Sequence, residues 1–244
     1  MFIFQYKHNL NLTLFGSIAQ MQKKGCNKYT HIIKFFTDYN SSTLPNILRH
    51  RVNKWNQTLG QLGYNPIDPE YLLQLNKNLT TLQYDMYHRY IQYKINKGTL
   101  KTNRLIRFHS DDNTEGLCTF CSSHIESIPH LFWECRTVKT FLKMAARLLN
   151  DFWPQKINRN TFNMKTFLFG DLNSWHSPFN FTNTLIKHYI WDQRKQKGIL
   201  SSAHFIIYFK KQVKEWYKAQ TMPDSNVNLK FLTKPEYKNI IKQW

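Results

Sequence analysis

Four residues with side chains suited to binding zinc stand close together in the sequence. Cys118, Cys121, His130 and Cys135 fall within eighteen residues, at the spacing C-x2-C-x8-H-x4-C. Structural zinc is held in a tetrahedron, and three cysteines with one histidine are a common ligand set. The chain has one other cysteine, Cys26, so most of its thiols lie in this window. We therefore expect these four residues to bind a structural Zn²⁺.

Other interpretations of the same residues stay open. Cys118 and Cys121 could be buried free thiols, or they could form a redox pair. A redox C-x-x-C usually begins a helix after a strand, whereas residues 111–116 have the composition of a turn-rich loop. His124 could also replace His130 as the fourth ligand.

A catalytic zinc site is a further alternative. His124 and Glu126 spell the H-x-E of zinc deaminases, but in those enzymes this pair precedes the cysteines, and here it follows them. A zinc with four protein ligands has no open position at which to activate water. Glu126 and Glu134 are the only nearby candidates for an acid or base, so we expect no enzyme activity.

The charge of the chain indicates a nucleic-acid partner. Lysine and arginine total 34 against 15 aspartates and glutamates, a formal net charge of +19. Three thiolates and a neutral imidazole around Zn²⁺ carry a charge of about −1, so the metal site itself repels phosphate. Binding of RNA or DNA must therefore depend on the surrounding basic residues. Aromatic residues make up 16% of the chain, and we expect most to be buried and a minority to stack on bases.

Cysteine usage and hydropathy indicate where the protein resides. Four cysteines at this spacing do not form a disulfide framework. No apolar run approaches the ~18 residues that span a bilayer, and the first residues are too polar for a signal peptide. We expect a cytoplasmic or nuclear protein with no membrane partner.

The elements that position these residues are expected to be helices. Glycine and proline are scarce, at eight each, and apolar residues recur mostly at helical spacing. The sequence predicts a mainly α fold, a helical domain with an embedded CCHC zinc-binding loop. Helices are predicted at 44–60, 79–97, 131–149, 179–197 and 201–220, with another beginning at Asp68 and Pro69.

The chain divides into five predicted regions. They are a partly ordered N-terminal segment at 1–43, a helical region at 44–107, the zinc-binding module at 108–150, a C-terminal helical region at 151–220 and a tail at 221–244. The tail has the composition of a poorly packed segment, but Phe231, Tyr237 and Trp244 could dock back onto the domain.

Two predicted helices carry basic faces. Lys139, Lys143 and Arg147 recur every four residues after the metal loop, and we expect them to contact phosphates. A second set lies on the 201–220 helix and consists of Lys210, Lys211, Lys214 and Lys218. A basic helix face can also be no more than a solvated surface.

The spacing of two ligands conflicts with a regular helix. His130 and Cys135 are five residues apart, which on an α-helix is a rotation of about 140°. Either His130 sits at the entry of the helix, or the turn between the two is distorted.

These motifs resemble the zinc-binding module downstream of the polymerase in non-LTR (LINE-type) retrotransposon reverse transcriptases. Residues 117–121 (LCTFC) and 126–135 (ESIPHLFWEC) match that family's C-T-F-C pair and its E-[ST]-I-x-H-L-F-x-x-C segment. Residues 92–95, 100–105, 167–170 and 187–191 are similar to its flanks, so the resemblance covers roughly residues 50–215. The chain departs from the family at 96–98, where Leu-His-Arg is replaced by Asn-Lys-Gly.

The resemblance implies a region of a retroelement polyprotein that binds RNA or DNA during target-primed reverse transcription, with the upstream reverse transcriptase domain as a further partner. It does not imply polymerase activity in this chain. Asp111 and Asp112 are the only paired aspartates, and they stand one residue too far from Phe108 for the polymerase motif. The main alternative is a zinc-stabilised protein-interaction module that binds no nucleic acid.

Overall fold

The computed structural model describes residues 46–72, 74, 86–107, 115–157, 162–171, 177–221 and 229–244. Its α-helices are α1 (Asn46–Gln61), α2 (Met86–Asn96), α3 (Asn103–Arg107), α4 (Arg136–Phe152), α5 (Met164–Phe169), α6 (Pro178–Lys195), α7 (Ser202–Thr221) and α8 (Pro235–Gln243). A π-helix (His130–Glu134) and a 3-10 helix (Lys230–Thr233) complete the described elements. Within these ranges no strand forms, and one isolated antiparallel bridge joins Leu117 to Ile125. The predicted mainly helical fold with an embedded Cys/His loop is confirmed.

Helices α4, α6 and α7 build the core on which the metal loop rests. Helix α7 packs against α4, α6 and α8, while α2 packs against α5 and α6. The rings of Phe141, Tyr189 and Phe205 meet at the centre, with centroids 5.4 to 5.6 Å apart. Helices α4 and α7 bury one apolar stripe and expose the opposite face, whereas α6 has buried residues on all sides. Among the described helices, none is long and apolar enough to cross a membrane.

Most predicted helices are present with small changes at their ends. The 44–60 helix corresponds to α1, the 179–197 helix to α6 and the 201–220 helix to α7. Residues 69–72 are helical after Asp68, whose carboxylate accepts a bond of 2.6 Å from the backbone N–H of Tyr71. Of the predicted 79–97 helix, the described part is α2, and Gly98 follows it at a φ of 64°. The segment 1–43 lies outside the described residues.

The prediction of one continuous helix over 131–149 is wrong. The backbone of Cys135 turns to φ −54° and ψ 127°, so the π-helix ends there and α4 begins at the next residue. The apolar spacing does not reveal this break, because the buried residues Leu131, Cys135, Val138 and Leu142 keep a helical spacing of three or four across it.

The described residues 229–244 of the tail pack onto the domain, as the docking alternative for this segment predicts. Phe231, Leu232, Tyr237 and Ile241 are buried there. The ring of Trp244 stacks on Trp153 at 6.1 Å. These apolar residues are divided between a 3-10 helix and a nine-residue helix, so they give no long periodic pattern in the sequence. Their burial depends on a surface that α7 supplies.

Candidate metal centre

The four predicted ligands come together at one point. One ligand atom from each of Cys118, Cys121, His130 and Cys135 lies within 4.8 Å of all the others. The sulfur atoms of Cys118 and Cys135 are 3.9 Å apart, and the Cys121 sulfur is 3.4 Å from Nε2 of His130. A tetrahedron with the usual Zn–S and Zn–N bond lengths needs separations of about 3.8 Å and about 3.5 Å. The cluster could therefore hold a tetrahedral metal ion.

A tight backbone hairpin supplies the first two thiols. The backbone N–H of Cys118 donates to the carbonyl of His124 at 2.8 Å, and that of Ser122 donates to the carbonyl of Cys118 at 2.8 Å. Ser122 adopts a φ of 51°, which lets the chain reverse directly after Cys121. The reversal turns both thiols toward the same side of the hairpin.

A wide helical turn supplies the other two ligands. The backbone N–H of Cys135 donates to the carbonyl of His130 at 2.9 Å, a bond between residues five apart. In a π-helix such residues lie nearly above one another, whereas in an α-helix they diverge. The Ser127 hydroxyl accepts the N–H of His130 at 3.1 Å and fixes the start of the turn. Of the two sequence-based explanations for the spacing, the distorted turn is the one the structure shows.

The thiol of Cys135 occupies the N-terminus of α4. The Cys118 thiol donates a hydrogen bond to the Cys135 sulfur. This bond is the largest cause of the shift in the pKa of Cys135, which is lowered to about 3. Burial opposes this shift, but the side chain of His130 and the backbone N–H groups of Thr137 and Val138 add to it. A helix N-terminus favours negative charge, so the position of Cys135 favours its thiolate form.

The pKa values of the remaining ligands are shifted by hydrogen bonds within the cluster, and a metal must displace protons from these ligands. The bond from Cys118 to Cys135, followed by burial, raises the pKa of Cys118, so this pair keeps one proton between them. Burial disfavours the Cys121 thiolate, but hydrogen bonds from Ser123, His130 and His124 outweigh it and bring the pKa of Cys121 to about 6. The same bonds to Cys135 and Cys121 raise the pKa of His130. Since thiolates and neutral imidazole are the metal-binding forms, metal binding here must be coupled to proton release.

His124, the alternative fourth ligand, lies outside the cluster. Its side chain is exposed, and its Nδ1 is 3.0 Å from the hydroxyl of Ser123. Its ring stacks on that of His130 with the centroids 5.3 Å apart. The structure therefore favours His130 as the ligand and gives His124 a place beside it. Cys26 lies outside the described residues, and the three described cysteines are free.

A buried carboxylate next to the cluster holds the hairpin in place. Glu126 is completely buried, and both of its oxygens are used. Oε1 accepts from the backbone N–H of Asn103 at 2.9 Å and from Nε of Arg194 at 3.0 Å. Oε2 accepts from the N–H and the hydroxyl of Thr119, each at 2.9 Å. The sequence marked Glu126 only as a candidate acid for a catalytic zinc, and this structural role was missed.

Arg194 connects this carboxylate to the helical core. It lies near the end of α6, is largely buried, and also donates to the side-chain oxygen of Asn103 at 2.6 Å. Its guanidinium lies 4.9 Å from the ring centroid of Trp191. Asn103 in turn donates to the carbonyl of Leu117 in the hairpin at 2.6 Å. No local pattern marks Arg194, because it pairs with a residue 68 positions away.

The predicted phosphate contacts on α4 are available. Lys139, Lys143 and Arg147 are exposed, and none of them forms an ion pair within the part of the chain that the structure describes. We call these three residues the basic strip. They follow Cys135 on the same helix, so the metal cluster fixes the position at which the strip begins.

The second basic set, on α7, is less uniform. The ammonium group of Lys210 lies 5.3 Å from the ring centroids of both Phe152 and Trp244, so it is already engaged. Lys211 and Lys218 are exposed, and Lys214 is half-buried. The prediction that all four lysines point outward thus holds for only part of the set.

A buried lysine joins three helices away from the metal. Lys187 of α6 is 3% exposed, and it donates to the side-chain oxygen of Gln92 in α2 and to the carbonyl of Leu168 in α5, the latter at 3.1 Å. Burial lowers the pKa of Lys187 to about 7. These residues belong to three of the flanking segments similar to the retrotransposon family, and the fold brings those segments into contact.

Comparison with known proteins gives no relative: no protein-family model, curated protein or solved structure matches the chain. The paired aspartates Asp111 and Asp112 lie outside the described residues. The resemblance to reverse transcriptases therefore rests on the sequence motifs.

Proposed function

We propose that this chain is a non-catalytic nucleic-acid-binding region in which a structural Zn²⁺ orients a basic helix. The observation that carries the proposal is the position of the basic strip, which begins four residues after the ligand Cys135 and has no ion-pair partner among the described residues.

The donor set supports zinc and a structural role. Three sulfurs and one imidazole nitrogen at tetrahedral separations suit Zn²⁺, which binds structural sites with four protein ligands. Such a site has no open position for water, and the zinc would hold the hairpin and the π-helix together. The carboxylate of Glu126 makes four hydrogen bonds to the hairpin, α3 and α6, so it is poorly placed to act as a general base.

The geometry of α4 supports phosphate binding. Residues four apart on a helix rise by about 6 Å and lie on one face, so Lys139, Lys143 and Arg147 present a row of three cations. Binding along this row would release counterions from the nucleic acid and give salt-dependent affinity with little sequence preference. The surplus of positive charge over the whole chain adds to the attraction.

The sequence motifs suggest the biological setting. From their resemblance to non-LTR retrotransposon reverse transcriptases, we place the chain in a retroelement polyprotein, in the cytoplasm or nucleus. There it would bind RNA or DNA during target-primed reverse transcription, with the upstream reverse transcriptase domain as a further partner.

A salt titration of single-stranded RNA binding tests this proposal. One variant replaces Lys139, Lys143 and Arg147 with glutamine. A matched control replaces three exposed lysines of α8 and its N-cap that have the same four-residue spacing. These residues are Lys234, Lys238 and Lys242. Each lost phosphate contact lowers the slope of log affinity against log salt by about 0.7 to 0.9, so we expect the α4 variant to lose roughly two units and the control to keep the wild-type slope.

Three outcomes would contradict the proposal. Equal slope changes in both variants would show that binding depends on total charge and not on the α4 face. No binding by the wild-type protein would favour the zinc-stabilised protein-interaction module. A slope change caused only by glutamines at Lys210, Lys211, Lys214 and Lys218 would move the interface to α7.

A further inference from the structure

An open groove runs beside the basic strip. It has a volume of about 360 Å³ and lies between the first half of α4 and the segment that leads into α7. Its apolar lining comes from Phe141, which is buried, from Leu200, which is half-buried, and from Met144, which is 42% exposed. An exposed methionine beside an aromatic ring gives a polarizable apolar surface that is adaptable in shape.

Polar groups complete the lining of the groove. The hydroxyls of Thr137, Thr140 and Ser202 line it, and Arg136 lies at its α4 end. The Thr137 hydroxyl also bonds the carbonyl of Phe120 in the metal hairpin at 3.5 Å, so the groove begins next to the metal cluster. Hydroxyl oxygens keep acceptor capacity when they donate to the backbone, so they can still receive hydrogen bonds from a ligand.

The groove and the basic strip share one exposed helix face. Arg136, Thr140 and Met144 are four residues apart and form one row on α4, while the basic strip forms the neighbouring row. A ligand lying along the strip would therefore meet the groove at its side. Arg136, like the strip, has no ion-pair partner in the described residues.

The chemistry of this surface fits one flat aromatic group that carries a phosphate. Apolar side chains and guanidinium planes stack on unpaired bases, and hydroxyls bond the polar edges of bases. The volume is near the lower end of the range of small-ligand sites, about 300 to 1,000 Å³. The unpaired cations alongside select an occupant with negative charge.

We propose that this groove receives a single unpaired base of a single-stranded nucleic acid whose phosphates lie on the basic strip. The inference rests on the proposed nucleic-acid binding and adds a preference for unpaired over paired strands. In a duplex the bases are stacked and paired, so none can enter the groove without being extruded.

Paired oligonucleotides separate base binding from phosphate binding. The zinc-loaded protein is titrated with a ten-nucleotide uracil strand and with an abasic strand of the same length and phosphate count. Stacking contributes enough per base that we expect the uracil strand to bind about tenfold more tightly. Both strands should show the same salt dependence, because their phosphates are equal in number.

Substitutions at one exposed position locate the effect. Met144→Ala should remove most of the preference for the uracil strand and leave the abasic affinity unchanged, and Met144→Phe should retain the preference. The matched control is Ile207→Ala on α7, an apolar residue that is 67% exposed and does not line the groove. Zinc content and circular dichroism confirm that each variant is folded.

Three results would overturn the inference. Equal wild-type affinity for the two strands would leave phosphate binding intact and remove the base-binding groove. Equal losses in Met144→Ala and Ile207→Ala would place the stacking surface elsewhere. Absence of binding to either strand would refute both the inference and the proposed function.

Discussion

Glu126 and Arg194 form a buried ion pair, with NH2 of Arg194 2.9 Å from Oε1 of Glu126. The glutamate belongs to the metal hairpin and the arginine to the end of α6, so the pair fastens the metal-binding loop to the helical core. The hairpin is thus part of the larger domain, in contrast to small zinc fingers that are unfolded without their metal.

Breaking this pair should destabilise the protein strongly. Arg194→Ala leaves the completely buried carboxylate of Glu126 without its cation, and removal of one partner of a buried pair costs about 3 to 5 kcal/mol of unfolding free energy. Urea unfolding of the zinc-loaded variants measures the loss. The control is Lys195→Ala, whose ion pair with Asp192 is partly exposed and should contribute about 0 to 1 kcal/mol. Similar losses in the two variants would contradict the role assigned to Glu126.

The identity of the fourth ligand can be tested by a pair of histidine variants. His130→Ala removes a ligand nitrogen, and it should weaken zinc binding by more than the 10- to 100-fold typical of groups outside the ligand shell. His124→Ala removes a ring that stacks on His130 and a hydrogen bond to Cys121 but no ligand of the cluster, so zinc affinity should change by less than about tenfold. Competition with a chromogenic chelator gives both values. A greater loss in His124→Ala would show that the wrong histidine has been assigned.

Metal removal should loosen the metal loop and leave the helical core folded. The loop at 116–136 is held by its ligands and by the Glu126 network, while α6 and α7 pack around the buried rings of Tyr189 and Phe205. We expect a chelator to accelerate hydrogen exchange across 116–136, lower the melting temperature and leave exchange in α6 and α7 slow. Unchanged exchange at 116–136 after zinc removal would mean that the metal does not stabilise this loop.

The buried lysine should make stability depend on pH. Burial lowers the pKa of Lys187 from 10.5 to about 7, so between these values the unfolded chain binds more protons than the folded one. The free energy of unfolding should therefore rise with pH across this window, by about 1.4 kcal/mol per pH unit for one full proton. Below pH 7 Lys187 is protonated in the folded protein as well, and the free energy of unfolding is reduced by the full cost of burying its charge.

Lys187→Met isolates this contribution. The variant should show a shallower rise in unfolding free energy between pH 7.5 and 9.5 than the wild type at equal zinc saturation. Some slope should remain, because burial, Arg51 and Lys94 lower the pKa of Lys97 to about 6 and give a dependence of the same sign. An identical pH dependence of the unfolding free energy in variant and wild type would show that Lys187 does not release a proton on folding.

The sequence predicted the parts of this molecule that depend on local pattern. The ligand set can be predicted because three cysteines and a histidine at short spacing are typical of a structural zinc site. Helices α1, α6 and α7 can be predicted from apolar periodicity and helix caps. The π-turn between His130 and Cys135 was recognised only as a conflict of spacing. The π-helical turn aligns the two side chains, and this turn depends on the facing hairpin that carries Cys118 and Cys121.

The parts that could not be predicted depend on distant contacts. The partner of Glu126 lies 68 residues away, and the motif that contains Glu126 gives no sign of which residue that partner is. The short helix α5 begins with a capping box between Asn163 and Thr166, a signal that can be recognised in the sequence but is weak in a six-residue element. Trp244 is half-buried and stacks on Trp153, a partner that follows α4 and is far away in the sequence.

The metal content of the purified chain is the most direct test of the zinc-centred structure. We expect native mass spectrometry to find one zinc per chain in the wild-type protein and none in Cys118→Ser, which lacks one of the four ligands. Cys26→Ser serves as the control, because it removes a thiol that is not part of the cluster, and it should retain one zinc. A wild-type chain without metal, or equal zinc in Cys118→Ser and the wild type, would contradict a zinc centre formed by these four residues.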